Sequence, residues 1–507
     1  MHRIAFIFQQ IESSRKALLI SAVILFLTVR WLVVFQNNGL AFNIAAEELI
    51  YPTIAAERLR DNPLADEMMF QEYTTGGYVL ESYLYMPLVA LNSCSRHLLK
   101  IVPIAFSLLA FCFYLLIAYR WFSPRAALLF AVGFSLGPPL LLQFQIVGYA
   151  NHNEVHVFLA PCLALTYYLL FDRPASLWRA GGAVFGLALL SALSVFYIYT
   201  ALVFVVFVLA LSPLIAWRLA RMFRWRTLYL LLFILAGLII GNIPFETVQK
   251  TIAHQYFGFY NSAGNSSELA YHAGTTALQM MVSSASWRFI GTAALNMYAF
   301  AARFWNWVFL LLLIVAVVVT GRAVVVWAGG VFRRIPAAIK QQQGLKLGIP
   351  LLLVLAYLLA FNYISRGEFS QVDEPDRAIY LPMAFHQLVV VMPFIYLLLS
   401  GTLAEWTLSR NVRVRLAGLI AVAVMVIGGL VAIGETTDFP MRGIGSRGCK
   451  DYHILTEATR LAVECNVPPE QVCETMDRYV LSFDPDHADA ICEIMQRNTD
   501  CACPFQP

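Results

Sequence analysis

"ALLISAVILFLTVRWLVVFQ", residues 17–36, and "FNIAAEELIYPTIAAERLRDNPLADEMMF", residues 42–70, stand five residues apart. The first is mostly apolar over the roughly 20 residues that a helix needs to cross bilayer hydrocarbon. The second holds eight charged side chains in 29 residues and opens on adjacent carboxylates, Glu47 and Glu48. A span that runs straight into an acidic loop sets the fold class. The chain enters a membrane and leaves ionisable groups at its surface.

The rest of the chain repeats the pattern. Of 507 residues, 60% are hydrophobic and 13% charged, with mean hydropathy +0.68. A soluble globular protein carries roughly 45–50% apolar and about 25% charged residues. Eleven runs are apolar enough to span: 17–36, 98–119, 126–146, 154–171, 179–196, 198–217, 227–243, 304–328, 347–364, 383–403 and 416–434. The first is too long for the apolar core of a signal peptide, and no small-residue cleavage site follows it, so it is expected to remain a span. The fifth and sixth nearly touch at "FYIYT". Mid-span positions read as nearly free of charge. The expected fold is an all-α polytopic membrane protein of about eleven transmembrane helices. It occupies residues 1–440 and is followed by a small disulfide-rich helical module, 441–507.

Orientation follows from Lys/Arg asymmetry, because basic loops stay cytoplasmic. With the N-terminus in the cytoplasm, nineteen Lys and Arg fall on that side, and fewer than ten occupy the longer opposite loops before the tail. This places segments 37–97, 244–303 and 365–382 outside, together with the C-terminus. Six of nine cysteines crowd into the tail: Cys449, Cys465, Cys473, Cys492, Cys501 and Cys503. An even set in a small polar extracytoplasmic module reads as three disulfides, with the pairing open. The external segments carry amphipathic stretches, "AAEELIYPTIAAERL" and "GGYVLESYLYMPLVAL", suited to lying at the interface with apolar faces toward lipid. Two Gly-x-x-x-Gly pairs, Gly182/Gly186 and Gly237/Gly241, read as sites of close helix packing. "RLARMFRWR", residues 218–226, reads as a positive-inside anchor and not a nucleic-acid site.

Chemistry-bearing residues gather in the external segments. Neighbouring carboxylates raise at least one pKa, which suits a general base or acid, and Glu47 shares a helix face with Tyr51. "HNEVH" puts His152 and His156 at i,i+4, but Glu154 lies about 200° away from His152, a poor three-ligand set. A metal therefore stays open. No cofactor is required, although a divalent ion is compatible. The chain has no P-loop, no His-Glu-x-x-His and no nucleophile elbow.

This order of features resembles the integral-membrane (GT-C type) glycosyltransferases, including protein O-mannosyltransferases and lipid A aminoarabinose transferases. Their first external loop opens with Asp-Glu-x-x-Tyr; here it is Glu47-Glu48-Leu49-Ile50-Tyr51, one methylene longer at the first acid. "YTTGGYVLESYLYMPLVAL" resembles the segment that follows. "GYANHNEVHVFLAPCLALTYYLL" resembles the fourth span, entered by an acid, here Glu154. "DRAIYLPMAFHQLVVVMPF" resembles the late span opening on Arg and Tyr, here Arg377 and Tyr380. The resemblance covers roughly 20–435. It implies transfer of a sugar from a polyprenyl-phosphate donor to a lipid, glycan or protein on the outer face. Glu47 would be the base and Glu48 the supporting acid. Arg377 and Tyr380 would hold the donor phosphate, with Tyr51, Lys250 and Arg288 as further donor contacts and Arg303 a weaker one. His152, Glu154 and His156 would line the cavity. The expected setting is the cytoplasmic (inner) membrane of a bacterium. Expected partners are the lipid donor, membrane lipids and a protein reached through the tail, with no nucleic acid. Two other readings remain: a non-catalytic structural or lipid-binding subunit of the same fold, and a transporter or flippase. Mid-span charges and internal repeats would mark a transporter.

Overall fold

The computed structural model describes residues 14–36, 77–92, 96–137, 139–146, 153–198, 200–252, 314–322, 345–357 and 389–435, with residues 52, 55, 56, 58, 59, 148 and 470. All regular structure among them is helical, as a chain in lipid must satisfy its backbone within each span. The helices are α1 (Arg15–Gln36), α2 (Gly77–Asn92), α3 (Ile101–Ile117), α4 (Pro124–Ser135), α5 (Pro139–Phe144), α6 (His156–Phe171), α7 (Leu177–Tyr197), α8 (Ala201–Phe223), α9 (Leu230–Ile252), α10 (Leu345–Tyr357), α11 (Met392–Thr407) and α12 (Val412–Glu435). Among the described residues, five helical stretches are long and apolar enough to cross a membrane: Lys16–Phe35, His97–Phe122, Leu177–Tyr197, Ala201–Pro244 and Val412–Leu430. On α8, α9 and α12, leucines such as Leu209, Leu232, Leu235 and Leu416 face outward, exposed. This is an integral membrane protein. Described helical residues fall within each of the eleven expected runs.

Local sequence sets several helix ends. Ser123 is extended, and its hydroxyl accepts from the Ala126 N–H at 3.0 Å; Pro124 then opens α4. Ser176 caps α7 in the same way, accepting from Arg179 N–H at 3.2 Å. The "FYIYT" junction holds: α7 ends at Tyr197 and α8 starts at Ala201.

The third expected run, 126–146, is not one helix. α4 stops at Ser135 and α5 covers six residues from Pro139. Pro138 and Pro139 have no N–H, so the carbonyls four residues back, Phe134 and Ser135, lose their helical donors. Arg30, on α1, takes that place. Its Nη1 donates to Ser135 O at 2.5 Å and its Nη2 to Phe134 O at 3.1 Å. Nη2 also donates to Gln145 Oε1, and the guanidinium sits 4.0 Å from the Phe26 ring centroid. Arg30 is fully buried, so the first span does carry an internal charge. Hydropathy alone passed over it. The charge is tolerated because a helix C-terminus is the negative end of its dipole and presents free carbonyls.

The core lies between α1, α3, α4, α6 and α11. Phe26 stacks on Phe111 at 4.7 Å, and Phe130 on Phe134 at 5.2 Å. α11 is buried along nearly its whole length. α7 and α9 meet at the Gly237/Gly241 pair. A methyl group on Gly237 would lie 2.6 Å from Phe185 O, and one on Gly241 2.7 Å from Ala192 Cβ. The other pair differs: Gly186 approaches Leu165, but nothing lies within 4 Å of a methyl group on Gly182.

Polar contacts separate to the two ends of the bundle. At one end Arg120 pairs with Asp172 at 3.0 Å, Arg218 Nη2 donates to Asp172 O at 2.6 Å, and Tyr167 Oη donates to Lys346 O at 2.5 Å. Arg30, Gln145, Asn153, Glu154 and Tyr197 gather at the other. The two groups lie at opposite ends of α6 and α7: Glu154 precedes α6 and Tyr197 ends α7, whereas Asp172 follows α6 and precedes α7.

Candidate functional site

α2 turns its acid inward and its leucines outward. Glu81, Ser82, Tyr85 and Val89 are buried, whereas Leu80, Tyr83, Leu84 and Leu91 are exposed. That inverted pattern suits a helix with lipid outside and a polar site within. α2 packs on the start of α3 and on α7. Tyr85, Val89, Leu99 and Val102 form one buried cluster, and Ala55 of the first loop joins it. Arg58 fixes the same loop: its Nη1 donates to Ser82 Oγ at 3.2 Å, and its Cζ lies 3.9 Å from the Tyr83 ring centroid.

Under this helix sits a polar cluster. Tyr197 Oη, from the last residue of α7, donates to Glu81 Oε1. Glu81 Oε2 has no hydrogen-bond partner among the described residues. Glu154, 1% exposed, and Tyr85 lie within electrostatic reach of the Tyr197 hydroxyl. Burial pushes the Glu81 carboxyl up to about 8, although the Tyr197 hydrogen bond pulls the other way. At neutral pH Glu81 is therefore mostly a neutral acid, able to give a proton. The cluster joins two carboxyl groups and a phenol in a water-poor site.

A chain of hydrogen bonds holds the segment that carries Glu154. Asn153 Nδ2 donates to Ser107 Oγ at 2.8 Å, and Ser107 Oγ donates to Gln145 O at 3.3 Å. Gln145 is the residue whose side chain accepts from Arg30. The α4–α5 break thus buttresses the entry to α6. One turn on, His156 is locked in the core. Its Nδ1 shares a hydrogen bond with Tyr114 Oη at 2.6 Å, and Phe394 lies edge-on at 5.7 Å.

Of the sequence-predicted residues, Glu154 and His156 are described, and both are buried. Lys250 lies on α9 by its backbone. Glu47, Glu48, Tyr51, His152, Arg288, Arg303, Arg377, Tyr380 and the six tail cysteines fall outside the described residues. Among the described residues no group of three His, Cys, Asp or Glu side chains could hold a metal ion. Glu81, Tyr197, Asn153, Gln145 and Arg30 were missed from sequence. Two had a signal: Glu81 is the only charge in "GGYVLESYLYMPLVAL", and Arg30 the only one in 17–36. A lone charge in an apolar run is a site candidate by default.

No protein-family model matches the chain, and no curated protein matches it. Similar solved structures include two oligosaccharyltransferases and ArnT. One is the archaeal oligosaccharyltransferase AglB from Archaeoglobus fulgidus in complex with an inhibitory peptide and a dolichol-phosphate: TM-score 0.46, 14% identity, covering 96% of this chain and 64% of that one. Another is the apo Archaeoglobus fulgidus oligosaccharyltransferase: TM-score 0.48, 13% identity, 91% of this chain and 59% of that one. A third is apo ArnT from Cupriavidus metallidurans: TM-score 0.35, 14% identity, 87% and 90% covered. The chain spans less than two thirds of the length of the two oligosaccharyltransferases.

Proposed function

We propose that the chain is a membrane glycosyltransferase that takes a sugar from a polyprenyl-phosphate donor and passes it to a hydroxyl-bearing acceptor outside the membrane. One observation carries this reading. The first external loop, which bears Glu47 and Glu48, is pinned by Ala55 and Arg58 onto α2, whose Glu81 enters the buried cluster with Tyr197 and Glu154. Glu48 is seven residues from Ala55, so chain length alone keeps it within roughly 25 Å of that anchor. That tether is compatible with the loop acids reaching the end of the bundle that holds Glu81, Tyr197 and Glu154, where a lipid-borne donor and a water-borne acceptor could meet.

The chemistry follows from those groups. An acceptor oxygen attacks the anomeric carbon, the bond from that carbon to the phosphate oxygen breaks, and polyprenyl phosphate leaves with the electron pair. The acceptor proton passes to a carboxylate, for which Glu47 is the assignment and Glu48 its support. Arg377 and Tyr380 hold the departing phosphate, a guanidinium offering two parallel bonds. Glu154 orients the acceptor or donor. A divalent ion, if bound, would supply further charge for the phosphate, with carboxylates of this end as its holders.

The transport reading gains nothing from Arg30, whose terminal nitrogens are engaged by protein acceptors. The test is turnover by the purified full chain, reconstituted in lipid, of a radiolabelled polyprenyl-phosphate sugar. Release of polyprenyl phosphate with the label moved to an acceptor is expected. Binding without any turnover, across a panel of acceptors, would favour the non-catalytic subunit instead.

A further inference from the structure

The opposite end of the bundle carries a different chemistry. Between Asp172 and Glu246 the chain has six arginines, no lysine and no acid: Arg173, Arg179, Arg218, Arg221, Arg224 and Arg226. Asp172 itself is already engaged, by Arg120 at 3.0 Å and, through its carbonyl, by Arg218. Arg221, Arg224 and Arg226 are exposed around the turn that joins α8 to α9. Aromatic rings interleave with them. Arg221 Cζ lies 4.4 Å from the Trp217 ring centroid, Arg226 Cζ 6.0 Å from that of Trp225, and Trp225 packs against Tyr229 at 5.7 Å. The start of α7, with exposed Trp178 and Arg179, adjoins the same turn.

The backbone gives an independent signal. Arg224 has φ 55° and ψ −134°, the sole positive φ at a non-glycine residue among those described. That conformation belongs to glycine, because a Cβ strains it. The chain keeps an arginine at the point where a glycine would close the turn at lower energy. That strained position ends α8 and leaves the Arg224 side chain exposed beside Arg221 and Arg226.

A diffuse positive-inside anchor would accept lysine as readily as arginine. Three arginines at one turn, two of them beside indole rings, are suited to phosphate oxygens taken by two parallel donors. Directly beside it, Leu228, Leu231 and Leu232 stand exposed for acyl chains. The geometry points to a binding site for the phosphate headgroup of an anionic phospholipid at the α8–α9 turn, formed by Arg221, Arg224 and Arg226 with Trp217, Trp225 and Tyr229. The site is separate from the Glu81 end and does not depend on the transferase reading.

Native mass spectrometry of the full chain tests it, with phosphatidylglycerol and phosphatidylcholine supplied in equal amounts. The wild type should retain phosphatidylglycerol in preference, by at least about fivefold. The triple variant Arg221→Lys, Arg224→Lys, Arg226→Lys keeps the charge and should lose most of that preference. Arg224→Gly should weaken lipid retention while melting no lower than wild type, since it relieves the strained backbone. Full preference in the lysine variant would show diffuse charge and overturn the site. Complete displacement of the lipid by inorganic phosphate would show a free-anion site and overturn the lipid assignment. Absence of any preference in the wild type would overturn it as well.

Discussion

Arg30 donates to the carbonyl oxygen of Ser135, the acceptor whose helical donor would be the N–H that Pro139 lacks. Its second terminal nitrogen serves Phe134, the acceptor left open by Pro138. A side chain from one span thus completes the backbone of another. Through Gln145, Ser107 and Asn153 the same contact reaches the residue before Glu154.

Arg30→Leu should therefore leave two buried carbonyls and a buried amide oxygen without donors, lowering stability by about 2–5 kcal/mol. Arg30→Lys, with one ammonium in place of a fork, should fall between. In a background with Pro138→Ala and Pro139→Ala, which restores both N–H groups, Arg30→Leu should cost less. Thermal melts in detergent close this double-mutant cycle. Equal costs in the two backgrounds would mean that the prolines and Arg30 are not coupled.

Glu81 predicts a pH dependence. Its folded value of about 8 lies above the ordinary 4.5. Below 4.5 the carboxyl is protonated whether folded or not, and its burial is fully tolerated. As pH rises from 4.5 to 8 the unfolded chain gains by ionising and the folded one does not. Stability should drop over that window by at most about 1.4 kcal/mol per pH unit. Glu81→Gln should flatten the slope of melting temperature against pH between 5 and 8. Tyr197→Phe should carry the loss on to higher pH, since that hydrogen bond opposes the upward shift. A wild-type slope unchanged in Glu81→Gln would reject the buried-acid account.

The positions of the five long apolar stretches, the α7–α8 junction and the Gly237/Gly241 seam were legible because each rests on local composition: apolar length, a short polar break, small residues one turn apart. The break in 126–146 was less legible. Its residues are apolar enough to span, and the interruption lies in two missing N–H groups that hydropathy does not count. Glu81 and Arg30 were visible as letters but not as sites. Their meaning depends on Tyr197 and Ser135, which lie 116 and 105 residues away. His156 shows the same limit: its spacing to His152 suggested a ligand face, and its neighbours in the fold are Tyr114 and Phe394.

For the proposed transfer reaction, Glu47→Gln should keep shape and remove basicity, reducing the chemical step about 10²–10⁴-fold with donor binding retained. Arg377→Ala should instead weaken donor binding. Single-turnover kinetics on the purified chain separate the two effects. Wild-type turnover in Glu47→Gln removes that residue as base, and a dead Glu48→Gln beside it would transfer the role to Glu48.

The α7–α9 seam should reject any side chain. Gly237→Ala places a methyl group 2.6 Å from Phe185 O and 2.9 Å from Ala188 Cβ, and should destabilise by about 1–3 kcal/mol. Gly182→Ala meets nothing within 4 Å and serves as the control. Comparable melting of both variants would contradict the close approach of these helices.

In the tail, three disulfides are expected among Cys449, Cys465, Cys473, Cys492, Cys501 and Cys503. Loss of one should cost roughly 2–5 kcal/mol, enough to unfold so small a module. Alkylation followed by mass spectrometry without reductant should find no free thiol in this segment; six modified cysteines would rule the bridges out.

The bond from Tyr167 to the Lys346 carbonyl also sets an order of events during synthesis. The two residues are 179 positions apart, and a ribosome adding about 5–20 residues per second needs roughly 10–40 s to travel between them. For that interval α6 has been synthesised, but the carbonyl that its Tyr167 phenol bonds has not. The contact between α6 and α10 therefore closes late, after every helix between them has been made.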